Sequence, residues 1–175
     1  MSNIHSTQAP AGELLAPTAA DLRHALGQFA TGVCVIACPG VTDHPTPFAI
    51  TVNSFASVSL DPALVLWSIQ KDSSSYRLWC DAQQFGISVL NASQASLCHR
   101  YAEPGQHTLT DSDDHADSPL GNPVMPDAVA VFDCTISARH DAGDHTIIVS
   151  KVEALQVNDN RDPLIYLRGR VHAST

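Results

Sequence analysis

The period of apolar positions changes several times along the chain. Leu22, Ala25, Leu26 and Phe29 recur at helical spacing, so residues 19–30 are read as an amphipathic helix. Thr18 offers the N-cap, Asp21 stands in the capping-box position, and Gly32 is the expected stop. Beyond that point the helical period is lost. Short runs rich in β-branched residues cover 33–38, 48–52, 63–69 and 85–90, with longer runs at 128–138 and 145–157 and a last one at 163–168. Pro39-Gly40 closes the first run and Asp61-Pro62 precedes the third. Helical spacing returns twice, at 73–81 through Tyr76, Trp79 and Cys80, and at 93–102 through Leu97 and Tyr101. These strands, few of them separated by a helix, predict a mainly β fold, a barrel or sandwich with a few peripheral helices. A parallel α/β sheet is disfavoured.

Two segments fit neither period. Residues 1–17 are rich in Ser, Ala, Pro and Gly and are read as a disordered lead-in to one domain over 18–175. Residues 103–127, dense in acids, Gly and Pro, form a long surface excursion. Loops of that length in compact domains are usually lids, binding loops or mobile segments.

Composition narrows the function classes. The chain has 175 residues, enough for a real core, and carries 9 basic against 18 acidic residues, a net charge of −9. General affinity for nucleic acid or an anionic membrane surface is not expected, because phosphate-rich partners need a basic face. No apolar stretch reaches the ~18 residues of a membrane span, and the N-terminus lacks the pattern of a signal peptide. Cys34, Cys38, Cys80, Cys98 and Cys134 are odd in number and form no C-x-x-C pair. They read as reduced thiols of a cytoplasmic protein. Without a secretory signal, the Asn91-Ala92-Ser93 sequon carries no meaning.

The usual catalytic motifs are missing. No G-x-G, phosphate-loop G-K-[ST], H-E-x-x-H or G-x-S-x-G occurs. His140 and His145 flank Asp141 and Asp144, but the spacing fits no standard metal pattern, and a polar turn is the better reading.

Four segments offer other chemistry. From Thr51 to Pro62 hydroxyl and amide groups alternate with apolar ones, placing Thr51, Asn53, Ser57 and Ser59 on one face. Such a row suits a flat polar heteroaromatic ligand carrying a polyol; a solvated sheet face is the competing reading. Lys71-Asp72-Ser73-Ser74-Ser75 lies between a strand and a helix start, where unpaired N–H groups and hydroxyls suit a phosphate, with Arg77, Arg100 and Tyr101 to balance charge. Simple N-capping is the alternative there. Gly143-Asp144 reads as a hairpin turn that presents His145 at a barrel mouth. Pro163 to Gly169 reads as a strand ending in Arg168.

In this order, Phe29-Ala30-Thr31-Gly32-Val33, Thr51-Val52-Asn53-Ser54-Phe55, Ser57-Val58-Ser59-Leu60-Asp61-Pro62, Phe85-Gly86-Ile87-Ser88-Val89-Leu90, Gly143-Asp144-His145 and Pro163-Leu164-Ile165-Tyr166 resemble the flavin reductase-like family over residues 22–171. The resemblance implies the FMN-binding split barrel and a homodimer with its flavin site near the subunit interface. It also implies reduction of FAD or FMN by NADH or NADPH, with reduced flavin supplied to a partner oxygenase. Carried over, Phe48, Ala49, Ile50, Thr51, Asn53 and Ser54 would line the isoalloxazine and ribityl, with Ser57 on the same wall. Ser68, Ile69 and Gln70 would give backbone contacts, and Lys71, Ser74, Ser75, Arg100 and Tyr101 would hold the phosphate side. His145, with Arg168 and Gly169, would face the nicotinamide nucleotide.

This chain departs from the family pattern in several places. Ala49 and Ser150 stand where glycines are usual, Ala63 where a second proline is, and Val171 where a tyrosine is; 103–127 lacks the usual aromatics. Hydride transfer between the two cofactors needs no acid, base or metal from the protein, which accounts for the missing motifs. A flavin-retaining oxidase or electron carrier of the same fold, or a non-catalytic ligand-binding barrel, are the alternatives.

Overall fold

The computed structural model describes residues 16–110 and 112–173. All but two residues of the expected lead-in therefore lie outside the described residues. The first helix, α1 (Ala19–Leu26), begins in a full capping box, with Thr18 Oγ1 accepting from the Asp21 N–H and Asp21 accepting from the Thr18 N–H. It ends at Gly27, earlier than the predicted residue 30, and none of its residues is buried.

The strands follow the predicted runs, with additions. In order they are β1 (Thr31–Gly32), β2 (Cys34–Cys38), β3 (Phe48–Val52), β4 (Ala56–Leu60) and β5 (Ala63–Gln70), then β6 (Gln84–Val89) after helix α2 (Tyr76–Asp81). A 3-10 turn (Ala92–Gln94) and helix α3 (Ala95–Ala102) lead to β7 (Ala116–Asp117), β8 (Pro123–Val124), β9 (Ala130–Ala142), β10 (His145–Val157), β11 (Leu164–Leu167) and β12 (Arg170–Ala173). Sequence periodicity missed β4 as a strand because its five side chains are almost all exposed, missed the two-residue strands because they carry no period at all, and stopped at 168, short of β12.

Seven strands form one antiparallel sheet in the order β3-β2-β6-β9-β10-β5-β4, and β1-β11-β12 form a smaller one. The large sheet curls round a single interior. Ile36 of β2, Phe48 of β3, Trp67 of β5, Phe85 of β6, Cys134 of β9 and Ile148 of β10 all enter one core cluster with Trp79 of α2. Trp79 packs edge-on against Phe48, Trp67 and Phe85, with ring centroids 4.7, 5.0 and 6.3 Å away. It plugs the barrel, so truncating it to alanine should cost about 3–5 kcal/mol.

Strand β2 is buried on both faces, which explains its unbroken apolar sequence. Its Cys34, Ile36 and Cys38 point into the barrel, while Val35 and Ala37 join Ala49, Leu90, Cys98 and Tyr101 in a second cluster under α3. The sheet does not close. Strand β3 stays at one edge, and the chain crosses through residues 53–55 to β4 at the other. Among the described residues a side chain bridges the gap: the Ser68 N–H donates to Ser54 Oγ at 3.1 Å, and that hydroxyl donates to the Ser68 carbonyl at 3.4 Å. This is a split barrel. Among the described residues, no helix is long and apolar enough to cross a membrane.

Candidate active site

The split between β3 and β5 opens into two adjoining cavities. One, of about 300 Å³, is lined by β3 residues with Asn53, Ser54, Ser68, Ile69 and Gln70, and has His145 at its mouth. The other, of about 440 Å³, is lined by Asp72, Ser73, Ser74, Tyr101, Pro104 and His107. Ile50, Thr51, Gln70 and Ser73 border both, so the two form a single groove. Together they fall in the size range of cofactor sites.

The wall is rigid for identifiable reasons. Thr51 Oγ1 donates to the Cys98 carbonyl at 2.9 Å, tying β3 to α3. Residues 107–109 add to the free edge of β3: the Ala49 N–H donates to the His107 carbonyl at 2.7 Å and the Leu109 N–H to that of Pro47 at 2.9 Å. The excursion after α3 is therefore anchored as one wall of the groove. Its His107 Nε2 lies 3.0 Å from Ser74 Oγ, while His107 Nδ1 is buried without a partner. The Tyr101 hydroxyl is likewise buried and unpartnered. Orphan polar atoms lining a groove are the atoms a polar guest satisfies.

At the groove mouth, Gly143 with φ +66° and Asp144 make the two-residue turn between β9 and β10, as their sequence predicts. His145 Nδ1 lies 2.7 Å from Asp144 Oδ1. A carboxylate only accepts, so Nδ1 donates this bond, and Nε2 has no hydrogen-bond partner among the described residues. That hydrogen bond holds the Asp144 carboxyl below its ordinary value.

Several expected site residues sit elsewhere. Phe48 and Ala49 are core residues, the Ala49 methyl packing in the cluster under α3. Ser57 is exposed on β4, beyond the break at 53–55 that ends the alternation read from the sequence. Arg168 and Gly169 form the β11–β12 turn, where Arg168 Nε donates to Gln28 Oε1 at 2.9 Å, away from the groove of the same chain. The Lys71 ammonium donates to Asp141 Oδ2 at 2.7 Å and to the Gly143 carbonyl at 2.6 Å, and Asp141 raises its pKa. Arg100 is paired with Asp113. Ser75 is buried with its hydroxyl 3.2 Å from that of Ser73, because α2 begins only at Tyr76. Ile50, Thr51, Asn53, Ser54, Ser68, Ile69, Gln70, Ser74, Tyr101 and His145 do line the groove.

Sequence reading missed His107 and Pro104, and within the Lys71–Ser75 segment it singled out, it carried Ser74 and Ser75 forward rather than Asp72 and Ser73. The serine run signalled the turn but not which hydroxyls face out. His107 gave no signal, since its place depends on an edge pairing made by a non-periodic segment.

The residue set fits the neutral part of a flavin nucleotide, with hydroxyls and amides for a polar ring and polyol and unpartnered polar atoms beside them; among the described residues the lining holds no lysine or arginine and includes Asp72, so hydroxyls and His107 are what it offers a phosphate. Comparison with known proteins agrees. The flavin reductase like domain model matches residues 26–175. The FMN reductase (NADH) SmoA of Agrobacterium fabrum is 46% identical over 147 residues, 84% of this chain and 81% of that protein. The NADH-dependent FAD reductase of Streptomyces globisporus is 34% identical over 167 residues, 93% of this chain and 90% of that protein. Among solved structures, the Streptomyces globisporus NADH:FAD oxidoreductase SgcE6 in complex with NAD and FAD fragments superposes with a TM-score of 0.83 at 32% identity, covering 93% of this chain and 97% of that one. By its sequence and by its fold, the chain belongs to the flavin reductase like domain family.

Proposed function

We propose that this protein is an NADH-dependent flavin reductase that supplies reduced FMN or FAD to a separate oxygenase. The observation that carries this reading is the continuous groove in the barrel split, polar along its length and bordered by an oriented imidazole at its mouth. The flavin, when bound, supplies the hydride-accepting ring. The chain's own part is to hold and orient.

In this reading Ile50, Thr51, Asn53 and Ser54 face Ser68, Ile69 and Gln70 across the ring and ribityl. Ser73, Ser74 and His107 take the phosphate end, with the Tyr101 hydroxyl as a further donor. His145, its Nδ1 proton held by Asp144, presents Nε2 toward the nicotinamide side. Lys71 and Arg100 are spent on Asp141 and Asp113. The phosphate end then depends on hydroxyls and one imidazole, which supports a flavin that exchanges as a substrate over one that is permanently retained.

A homodimer is part of the proposal. Helix α1 buries none of its residues, and its Leu22 and Leu26, with Phe29 just beyond, are exposed at 49, 63 and 73%. Covering such a row is what a second copy would do. The partner oxygenase is inferred from relatives such as the Flavin-dependent monooxygenase, reductase subunit HsaB of Rhodococcus jostii, 33% identical over 97% of this chain. A cytoplasmic location is proposed from five free cysteines, four of them buried.

The test mixes the purified protein with NADH and either FMN or FAD under anaerobic conditions and follows loss of NADH absorbance. Turnover of added flavin supports the reductase. No NADH loss with either flavin refutes it, and activity confined to permanently bound flavin would make it an oxidase or electron carrier.

A further inference from the structure

Lys71 stands one residue beyond β5 and shortly before the serines of the groove, yet its side chain runs the opposite way. Both bonds from its ammonium go to the β9–β10 hairpin, to Asp141 and to the Gly143 carbonyl. Its backbone N–H donates to the Asp144 carbonyl at 2.9 Å, on the same hairpin. The next residue, His145, pairs in register with Gln70, the last residue of β5. All three bonds therefore converge on the turn that carries the imidazole.

The side chains of the turn itself are open to solvent. A Cβ built on Gly143 would meet nothing within 4 Å, and the side chains of Asp141 and Asp144 are 81 and 83% exposed. The β10 ladders reach His145 on both sides, pairing it with Ala142 and with Gln70, and the Lys71 backbone N–H carries the second ladder one step further; the Lys71 ammonium adds the two side-chain bonds that reach the turn itself.

We propose that Lys71 is a positioning residue for His145, clamping the hairpin tip to the end of β5 so that the imidazole is fixed at the groove mouth. The end of β5 thereby serves two half-sites: Ser73 and Ser74 face the groove, and Lys71 sets the nicotinamide side. The inference rests on the reductase reading above. It assigns Lys71 to the NADH half of the reaction and removes it from the phosphate half.

The experiment compares wild type, Lys71→Met, Lys71→Arg, His145→Ala and the Lys71→Met/His145→Ala double variant. NADH kcat/KM is measured in turnover, and flavin Kd separately by fluorescence titration. Lys71→Met should lower NADH kcat/KM by about ten- to a hundredfold, the scale of a small misplacement, and leave flavin Kd within about twofold. Lys71→Arg should recover part of the loss, and Lys71→Met should cost nothing further once His145 is alanine. An exposed ion pair adds little to stability, so the melting temperature should hardly move. Asp141→Asn, which weakens the clamp from the other side, should lose NADH efficiency in the same sense.

A rise in flavin Kd with NADH kcat/KM unchanged would return Lys71 to the phosphate. An equal loss with or without His145 would make its role merely structural, and no change in either quantity would overturn the clamp. An active wild type with any of these results sinks only this inference, whereas a wild type that oxidises no NADH with either flavin sinks the reductase reading and this one with it.

Discussion

His107 Nε2 and Ser74 Oγ lie 3.0 Å apart, joining the excursion after α3 to the turn after β5 across one end of the groove. Neither side chain needs the other to fold, since Ser74 is exposed and the His107 backbone is already held by Ala49. In the reading proposed above, the pair borders the phosphate end.

Replacing Ser74 with alanine should therefore weaken flavin binding. A hydrogen bond to a charged group contributes about 1.5–3 kcal/mol, roughly ten- to a hundredfold in Kd. Fluorescence titration measures it, and an unchanged Kd would put the phosphate elsewhere. Ser75→Ala, by contrast, should leave Kd alone, because that hydroxyl is turned inward to Ser73.

His145→Ala should lower NADH kcat/KM about ten- to a hundredfold while changing flavin Kd little. Steady-state kinetics beside a binding titration separate the two. A variant that loses flavin and keeps its NADH efficiency would reassign the imidazole to the flavin.

Gly86→Ala should destabilise the fold. A Cβ there would lie 2.5 Å from the Pro123 carbonyl oxygen and 2.6 Å from Val124 Cγ1, in the packing of β6 under β8. Backbone cannot yield as a flexible side chain does, and overpacking of this kind costs about 1–3 kcal/mol. Urea unfolding reads it directly, and an unchanged midpoint would mean β8 is loosely held.

Burial pushes the Cys34 and Cys134 thiols up to about 12 and Cys38 to about 11. These groups favour the folded state fully at neutral pH. Their contribution is lost as pH rises past about 9, where unfolded thiols ionise and the buried ones do not, at about 1.4 kcal/mol per thiol per pH unit. Denaturation midpoints between pH 8 and 10 should fall accordingly. Cys80, the one cysteine that is not buried, should be the one modified by a thiol reagent in the native protein.

Much of the fold was legible because it is written in periods. The run 145–157 became β10 to the residue, since it alternates against a core it must bury, and 48–52 became β3 as a short apolar and β-branched run. Gly143-Asp144 announced its turn through the conformational freedom of glycine. What escaped was set by pairings at a distance. Ser73 and Ser75 are indistinguishable in sequence, and only the start of α2 at Tyr76 decides which faces the groove. Lys71 looked like a phosphate partner because Asp141, seventy residues on, is invisible to a local reading. Arg100 was claimed in the same way by Asp113.

The single serine stitch from Ser54 to Ser68 has a kinetic consequence. A ladder of backbone bonds along that seam would have to be unzipped rung by rung before anything bulky could pass. Here one hydroxyl spans the seam, so in the reading proposed above the groove can widen without unpairing any strand. For the exchanging flavin proposed above, a barrel left unsewn on one side is the suitable shape.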